Sequence, residues 1–380
     1  MTQHRPSSRP RALAGLIAGL LTAALAGPAA AQGVVPFDEA AALAAARNEP
    51  PITIYDSTGK IVDMAKSFSA KYGLKATGVK VSATSQLEMI IREAQANNVK
   101  GDVVLLTDTP AALAQLLPEK FVYSFLPQDK AAQIPELYRN PLAISINATV
   151  WAYNTEVYKT CPVTNMWQLT EPQWKRRVAY FDPLSRSNFN DFINQMATHH
   201  DAAVAKAYKD LYGKDLKTSE ESATAAWVKA FAANAPLVSE TDERISEAVG
   251  APGQKEPFFG FMSSAKFRDN KDKGYKLGLC ESFSPWPAWS YTKLAMIATK
   301  TKSPNAAKLF IYYILTPEGI MPQVVDGKVP TNPEIKLPDD EPSGLSAVLD
   351  RLLPFNAKTG LDDWDRRQDW QDLWRSAYKK

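Results

Sequence analysis

Short apolar runs alternate with amphipathic stretches along the chain from Pro51 onward. Residues 52–59 read ITIYDSTG, which indicates a buried strand followed by a turn. The next segment ends at Gly73 and places apolar residues at helical spacing: Ile61, Met64, Ala65, Phe68 and Tyr72. A strand, a small polar loop and a helix follow at 79–95 and again at 101–117. This order predicts an α/β fold with mixed sheets flanked by helices.

Two long extended stretches interrupt this alternation. Residues 141–154, PLAISINATVWAYN, are rich in β-branched residues, and residues 290–299, SYTKLAMIAT, form a similar run. We interpret them as strands that cross from a first lobe to a second lobe and back. The predicted segments are lobe 1 at 50–147 and 290–330, lobe 2 at 148–289, and a C-terminal helical tail at 331–380. Tryptophans in the tail indicate that it packs on the lobes.

The first 31 residues have the three parts of a secretory signal. A basic start precedes an apolar run at 12–26 and a small-residue exit at Ala29 to Ala31. We expect cleavage near Ala31 and export to the periplasm. The apolar run of 15 residues is short for a bilayer span, and no later run replaces it. Gln32 rather than cysteine follows, which argues against a lipid-attached protein.

Cleavage changes the charge balance. Loss of Arg5, Arg9 and Arg11 takes 44 basic residues to 41, which equals the 41 acidic residues. Balanced charge gives no electrostatic reason to bind nucleic acid or an anionic membrane. Roughly 349 residues, with 45% hydrophobic residues in the whole chain, are enough for two cores. We expect a two-lobed monomer.

The chain contains two cysteines, Cys161 and Cys280, and the expected compartment is oxidising. We expect them to form a disulfide, and the alternative is two free buried thiols. The histidines beyond the leader are the adjacent pair His199 and His200. Neighbouring residues on a helix point about 100° apart, so this pair does not chelate an ion. We expect neither a metal site nor a cofactor.

Polar loops follow the predicted strands of both lobes. In an open α/β sheet a ligand binds beyond the carboxyl ends of the strands. Hydroxyls and helix N-terminal amides there favour phosphate or carboxylate, which predicts an organic anion as ligand. For any single loop helix capping alone is the better explanation, and the convergence of four such loops is what favours a ligand site. The candidate ligand-binding residues of these loops are Ser57, Thr58, Thr84, Ser85, Thr107, Asp108, Ser185, Arg186 and Ser187.

Two further side chains have alternative interpretations. Arg186 either clamps an oxyanion with its guanidinium or is only solvated. Trp286 either forms an apolar wall for an organic ligand or packs the hinge. The motifs G-x-S-x-G, G-x-G-x-x-G, H-E-x-x-H and the P-loop are absent, so we expect no catalysis. The alternative of another class is a phosphate-ester hydrolase or transferase.

The order of segments resembles the periplasmic binding proteins of ABC importers, in the group that takes ferric ion, hexose phosphates, thiamine and polyamines. The similar segments are ITIYDSTG, GDVVLLTD, ATVWAYNTEVY, W-x-L-T-x-P-x-W-K at 167–175, VAYFDPLSRS and SPNAAKLFIYYILTPEG. This resemblance implies a type II two-lobed topology with two crossing strands and hinge closure. It also implies a small-molecule solute and a membrane permease as partners.

Within this group the sugar-phosphate binders look most similar. Their cysteines match Cys161 and Cys280, and by that resemblance Glu281 accepts hydrogen bonds from ligand hydroxyls. The resemblance also implies that an anion is held by Ser57, Thr84 and Ser185.

The branch's His-Asp pair corresponds here to Met262 and Ser263, so the wider class, an organic phosphate or carboxylate, is the expectation, with Ser263 as a candidate contact. Ferric-ion binders use tyrosine pairs, but residues 258–267 contain no tyrosine. Ferric ion, thiamine and polyamines remain alternative ligands.

Overall fold

The computed structural model describes residues 34–379, so the expected signal sequence lies outside the described residues. The strands are β1 (Val34–Val35), β2 (Ile52–Asp56), β3 (Ala76–Lys80), β4 (Val103–Leu106), β5 (Val122–Ser124), β6 (Leu126–Pro127), β7 (Ala143–Asn154), β8 (Val178–Phe181), β9 (Leu237–Ser239), β10 (Phe259–Ser263), β11 (Leu277–Leu279), β12 (Ala288–Ala298) and β13 (Val329–Pro330). No helix within 34–379 has the length and apolar character needed to cross a membrane.

The α-helices are α1 (Glu39–Ala46), α2 (Ile61–Tyr72), α3 (Ala83–Gln95), α4 (Thr109–Ala111), α5 (Gln128–Ala131), α6 (Asn190–His199), α7 (Asp201–Tyr212), α8 (Ala223–Ala233), α9 (Asp242–Gly250), α10 (Asp269–Asp272), α11 (Pro304–Ile314), α12 (Pro317–Val324) and α13 (Gly360–Ala377). Short 3-10 helices cover Glu136–Tyr138, Met166–Thr170, Pro172–Trp174, Ser187–Phe189, Ser264–Arg268, Leu345–Arg351 and Ala357–Thr359. A π-helix, Ala112–Leu116, continues α4.

One sheet runs through both lobes in the order β3-β2-β4-β12-β7-β10-β8-β9. β2 pairs in parallel with β3 and β4, and β8 pairs in parallel with β9 and β10. β7 and β12 pair antiparallel at the centre, from Ala288 opposite Val150 to Leu294 opposite Ala143. β12 continues into the first lobe beside β4, and β7 continues into the second beside β10. The α/β fold with two crossing strands is confirmed.

The first lobe forms its core where helices cover β2 and β4. The predicted apolar face of α2 is buried there, and Ile61, Met64 and Phe68 are 0% exposed. α2 ends at Gly73, whose φ of 68° is the left-handed conformation that glycine adopts easily. The adjacent pair Tyr312 and Tyr313 lies on α11, and Tyr313 packs against Phe68 in this core.

The second lobe has an aromatic core. Trp151 of β7 stacks on Phe259 of β10, and α6 and α8 cover the neighbouring strands. Trp370 and Trp374 of α13 are 1% exposed in the same core. Cys161 and Cys280 form the expected disulfide, with 5.2 Å between their Cα atoms. The lobe boundaries stay predictions, because both fall within the crossing strands.

Candidate functional site

A cavity of 460 Å³ lies between the lobes, at the carboxyl ends of the parallel strands. The first lobe contributes loops that follow β2, β3 and β4, and the second lobe contributes loops that follow β8, β9 and β10. The crossing strands form its floor. Parallel strands place their carboxyl ends at one edge, so the cavity stands where the sheet geometry puts a ligand site.

Seven of the predicted residues line this cavity: Ser57, Thr58, Thr84, Thr107, Ser185, Arg186 and Ser263. They come from both lobes and stay predicted ligand contacts. The helix after β3 begins at Ala83, before the candidate residue Ser85. Its N-cap is Ser82, whose Oγ accepts a hydrogen bond from the Ser85 N–H at 3.2 Å. Ser85 thereby lies within the first turn and outside the cavity lining.

Asp108 faces away from the cavity and holds the tail helix. Its carboxylate caps α4 through the Ala111 N–H at 3.0 Å and accepts a hydrogen bond from Arg367 Nη2 at 2.6 Å. Ser187 begins a 3-10 helix and does not line the cavity. Asp108 was expected at the ligand site because local sequence pattern does not reveal its partner, Arg367, which lies far along the chain.

Glu281 and Trp286 also lie outside the cavity lining. Glu281 follows β11, which pairs with the distal end of β7 and so leads away from the cleft. The Glu281 side chain is exposed, and its backbone carbonyl accepts a hydrogen bond from Arg351 at 2.8 Å. Trp286 packs against the His200 ring, with 5.4 Å between ring centroids. Trp286 therefore packs the second lobe.

A buried ion pair shapes the loop after β2. Asp56, 0% exposed, accepts hydrogen bonds from Lys293 Nζ at 2.7 Å and from Gln323 Nε2 at 2.8 Å. The same carboxylate accepts the Thr58 N–H at 3.3 Å, which turns the chain. Ser57 and Thr58 are thus held at the cavity wall by a network that reaches across to β12.

Arg186 has a defined position in the second lobe. Its guanidinium carbon lies 4.2 Å from the ring centroids of both Phe181 and Phe189. The Arg186 Nη1 atom lies 3.6 Å from a carboxylate oxygen of Asp242, which also lines the cavity. Stacking on aromatic rings orients a guanidinium while leaving its edge free to donate. Arg186 is thus held in a fixed position at the cavity wall.

Positive charge predominates around the cavity. Among the described lining residues, the cations are Lys80, Arg186, Lys266, Arg268, Lys293 and Lys328, and the carboxylates are Glu240, Asp242 and Glu243. Lys266 Nζ lies 2.6 Å from Glu243. Burial raises the pKa of the Glu243 carboxyl, but the hydrogen bond and charge of Lys266 outweigh it and bring the pKa to about 2. Arg268 pairs at 2.8 Å with Asp326 outside the lining.

Lys328 differs from these cations. It is 6% exposed, and its ammonium donates to Ser263 Oγ at 3.2 Å, but no described carboxylate forms an ion pair with it. Burial and the neighbouring charge of Lys293 lower its pKa to about 8. The carboxylates that act in the opposite direction are Asp242, Asp326 and Asp56. Lys328 thus brings into the cavity a positive charge that no described carboxylate contacts directly.

Several lining residues were missed from the sequence: Asn147, Lys266, Arg268, Tyr291, Lys293 and Lys328. One signal was available, because polar residues alternate with apolar ones through the buried strand β7. Within 34–379, no group of three or more histidine, cysteine, aspartate or glutamate side chains is arranged to hold a metal ion. Burial raises the pKa of the lining phenol, Tyr291.

Residues 52–321 match the family model of bacterial extracellular solute-binding proteins. The chain belongs to this family. Proteins of the family bind small solutes and work with ABC permeases. Comparison with curated protein sequences finds no match.

Solved structures show the same fold. Iron-bound HitA from Pseudomonas aeruginosa is 18% identical with a TM-score of 0.64, over 86% of this chain and 99% of that chain. AfuA from Actinobacillus pleuropneumoniae, with fructose-6-phosphate bound, is 19% identical with a TM-score of 0.63, over 86% and 98%. AgtB from A. tumefaciens R10, in complex with agropinic acid, is 17% identical with a TM-score of 0.62, over 86% and 98%. The fold of this family member is that of type II periplasmic binding proteins.

Proposed function

We propose that this protein is the periplasmic solute-binding component of an ABC import system, cleaved near Ala31, and that its cavity captures a small organic anion. The observation that carries the proposal is the excess of cations over carboxylates among the described cavity residues. Hydroxyls from loops of both lobes accompany these cations. Phosphates and carboxylates are the groups that such donors bind best.

Hinge closure is the proposed mode of capture. The two sides of the cavity belong to different lobes, and β7 and β12 are the strands that join them. A solute that contacts both sides favours the closed arrangement by the difference between its affinities for the closed and open states. Polar groups that lose water on closure require partners on the solute, so closure also selects among solutes.

Thermal shift tests this function. The mature protein from Gln32 is unfolded, refolded to remove bound solute, and screened with phosphorylated sugars, phosphonates, carboxylates, thiamine, polyamines and ferric citrate. A ligand of the folded state raises the melting temperature. We expect shifts with organic phosphates or carboxylates, reduced in Arg186→Met and unchanged in Arg244→Met, a matched change of an exposed arginine.

Other results assign other functions. Shifts confined to ferric citrate, thiamine or polyamines contradict the anion proposal. Steady release of product from a phosphate ester by the mature protein would establish a hydrolase or transferase instead. Both outcomes are read from the same solutions, because released phosphate is measured after each melting experiment.

A further inference from the structure

The floor of the cavity is a row of three polar side chains on adjacent strands. Tyr291 of β12 pairs directly with Asn147 of β7. On the other side of β7, Val329 of β13 pairs with Ile146, which puts Lys328 next to Asn147. All three side chains of this floor row, Tyr291, Asn147 and Lys328, line the cavity. None of them was among the residues expected from the sequence.

The floor row contains a buried acceptor without a donor. Asn147 is 1% exposed, and its Oδ1 has no hydrogen-bond partner. Ser145 Oγ, two residues away, also has none, but Ser145 and Thr149 both lie outside the cavity lining. Residues at this spacing share one face of a strand. Folded proteins leave few buried polar atoms unpaired, and Asn147 lines the cavity, so its unpaired Oδ1 indicates a partner from outside the chain.

Lys328 adds an unpaired positive charge to the same row. Its ammonium carries three N–H groups, and Ser263 Oγ takes one of them at 3.2 Å. Its neighbour Lys293 is neutralised by Asp56 at 2.7 Å, and no described carboxylate does the same for Lys328. A buried charge without a counter-ion is costly unless a ligand supplies the opposite charge.

We infer that Lys328 binds the acidic group of the solute and that Asn147 Oδ1 accepts a hydrogen bond from a hydroxyl or amino group of the same solute. Directly opposed side chains on neighbouring strands have Cβ atoms about 4.5–5.5 Å apart, so one small molecule reaches both. The inference rests on the proposed function and narrows it. The solute is a small acid, phosphate, phosphonate or carboxylate, that carries a hydrogen-bond donor close to its acidic group.

Matched pairs of acids test both contacts by calorimetric titration of the refolded mature protein. Within each pair one acid carries hydroxyl or amino donors and the other carries none: glycerol 3-phosphate with propyl phosphate, 2-aminoethylphosphonate with ethylphosphonate, and glycerate with propionate. We expect at least one donor-bearing acid to bind about tenfold or more tightly than its partner, the factor that one hydrogen bond of 1.4 kcal/mol supplies. The pair that shows the difference identifies the acidic group.

Variants assign the two contacts to their residues. Lys328→Met is expected to weaken every acid at least tenfold, and Asn147→Ala to abolish the preference within the pair. Lys300→Met, which changes an exposed lysine, is expected to bind as the wild type does. Lys328→Gln serves as a second neutral variant, and a thermal melt of each protein confirms that it is folded.

Different results contradict the roles of Lys328 and Asn147 and the proposed function. Wild-type binding of these acids together with unchanged affinity in both Lys328 variants overturns the role of Lys328 and leaves the proposed function standing. An undiminished preference in Asn147→Ala overturns the role of Asn147 in the same way. No binding of any of the six acids by the wild type overturns the inference, and the wider anion proposal also falls if the thermal-shift panel shows no organic anion.

Discussion

Replacing Arg367 with methionine removes a cation that holds the tail helix to both sides of the hinge. Arg367 Nη2 lies 2.6 Å from Asp108, in the loop after β4, and 2.7 Å from Asp191 of α6. Arg367 Nε donates a further hydrogen bond to Asp191 at 2.8 Å. The three side chains are 6%, 4% and 3% exposed respectively. Methionine keeps much of the buried aliphatic volume but leaves two carboxylates without their partner.

The expected loss of stability follows from the burial of these three side chains. Removing one partner of a buried ion pair costs about 3–5 kcal/mol, because the remaining charge stays desolvated. Burial raises the pKa of Asp191, and Arg367 opposes this effect. In the variant this opposition is lost and the pKa of Asp191 rises further, so the folded protein keeps its extra proton to a higher pH than the wild type does. Stability is therefore expected to fall in both proteins as the pH rises from 5 to 8, and to fall more steeply in the variant near pH 8.

Urea denaturation followed by tryptophan fluorescence at pH 5 and pH 8 measures the loss of unfolding free energy and its dependence on pH. The matched control is Arg366→Met, which removes the neighbouring arginine. Arg366 is half-exposed and pairs at 2.7 Å with the exposed Glu221, so its loss is expected to cost about 0–1 kcal/mol. The reasoning is refuted if Arg367→Met lowers the free energy of unfolding no more than Arg366→Met at pH 8.

Three further outcomes are expected. Replacing Cys161 and Cys280 with serine removes a cross-link between residues 119 positions apart in the chain. This should lower the free energy of unfolding by about 2–5 kcal/mol, measured by urea denaturation. Gly319→Ala would press a Cβ against the carbonyl oxygen of Tyr313 near the end of α11, so its melting temperature should fall, whereas Gly59→Ala meets no atom and should melt as the wild type does. Because the pKa of Lys328 falls from 10.5 to about 8, the ligand-free protein should gain stability between those pH values, and Lys328→Met should lose this gain.

The sides of the cleft were accessible to sequence reasoning because they depend on local pattern. Apolar periodicity located β2, β4 and α2, and polar loops after strands must meet at one edge of a parallel sheet. This is why Ser57 and Arg186, far apart in the chain, both line the cavity. The crossing strands were also predicted from their length and β-branched content.

The floor of the cavity depends on pairing between distant segments. Asn147 stands in an alternating polar series with Ser145 and Thr149, a signal that one face of an otherwise apolar strand is polar. Lys328 offered no comparable signal, because β13 is two residues long and its pairing with β7 is a tertiary contact. Asp108 was misplaced for the same reason, since its partner Arg367 lies 259 residues away.

Closure on an organic acid is the central claim, and small-angle X-ray scattering measures it directly. The refolded, solute-free mature protein is compared with the same protein saturated with the acid that binds most tightly. Hinge closure predicts a smaller radius of gyration with the acid, and no change in Lys328→Met at the same acid concentration. Unchanged scattering at saturation, or a contraction produced only by ferric citrate or a polyamine, would contradict it.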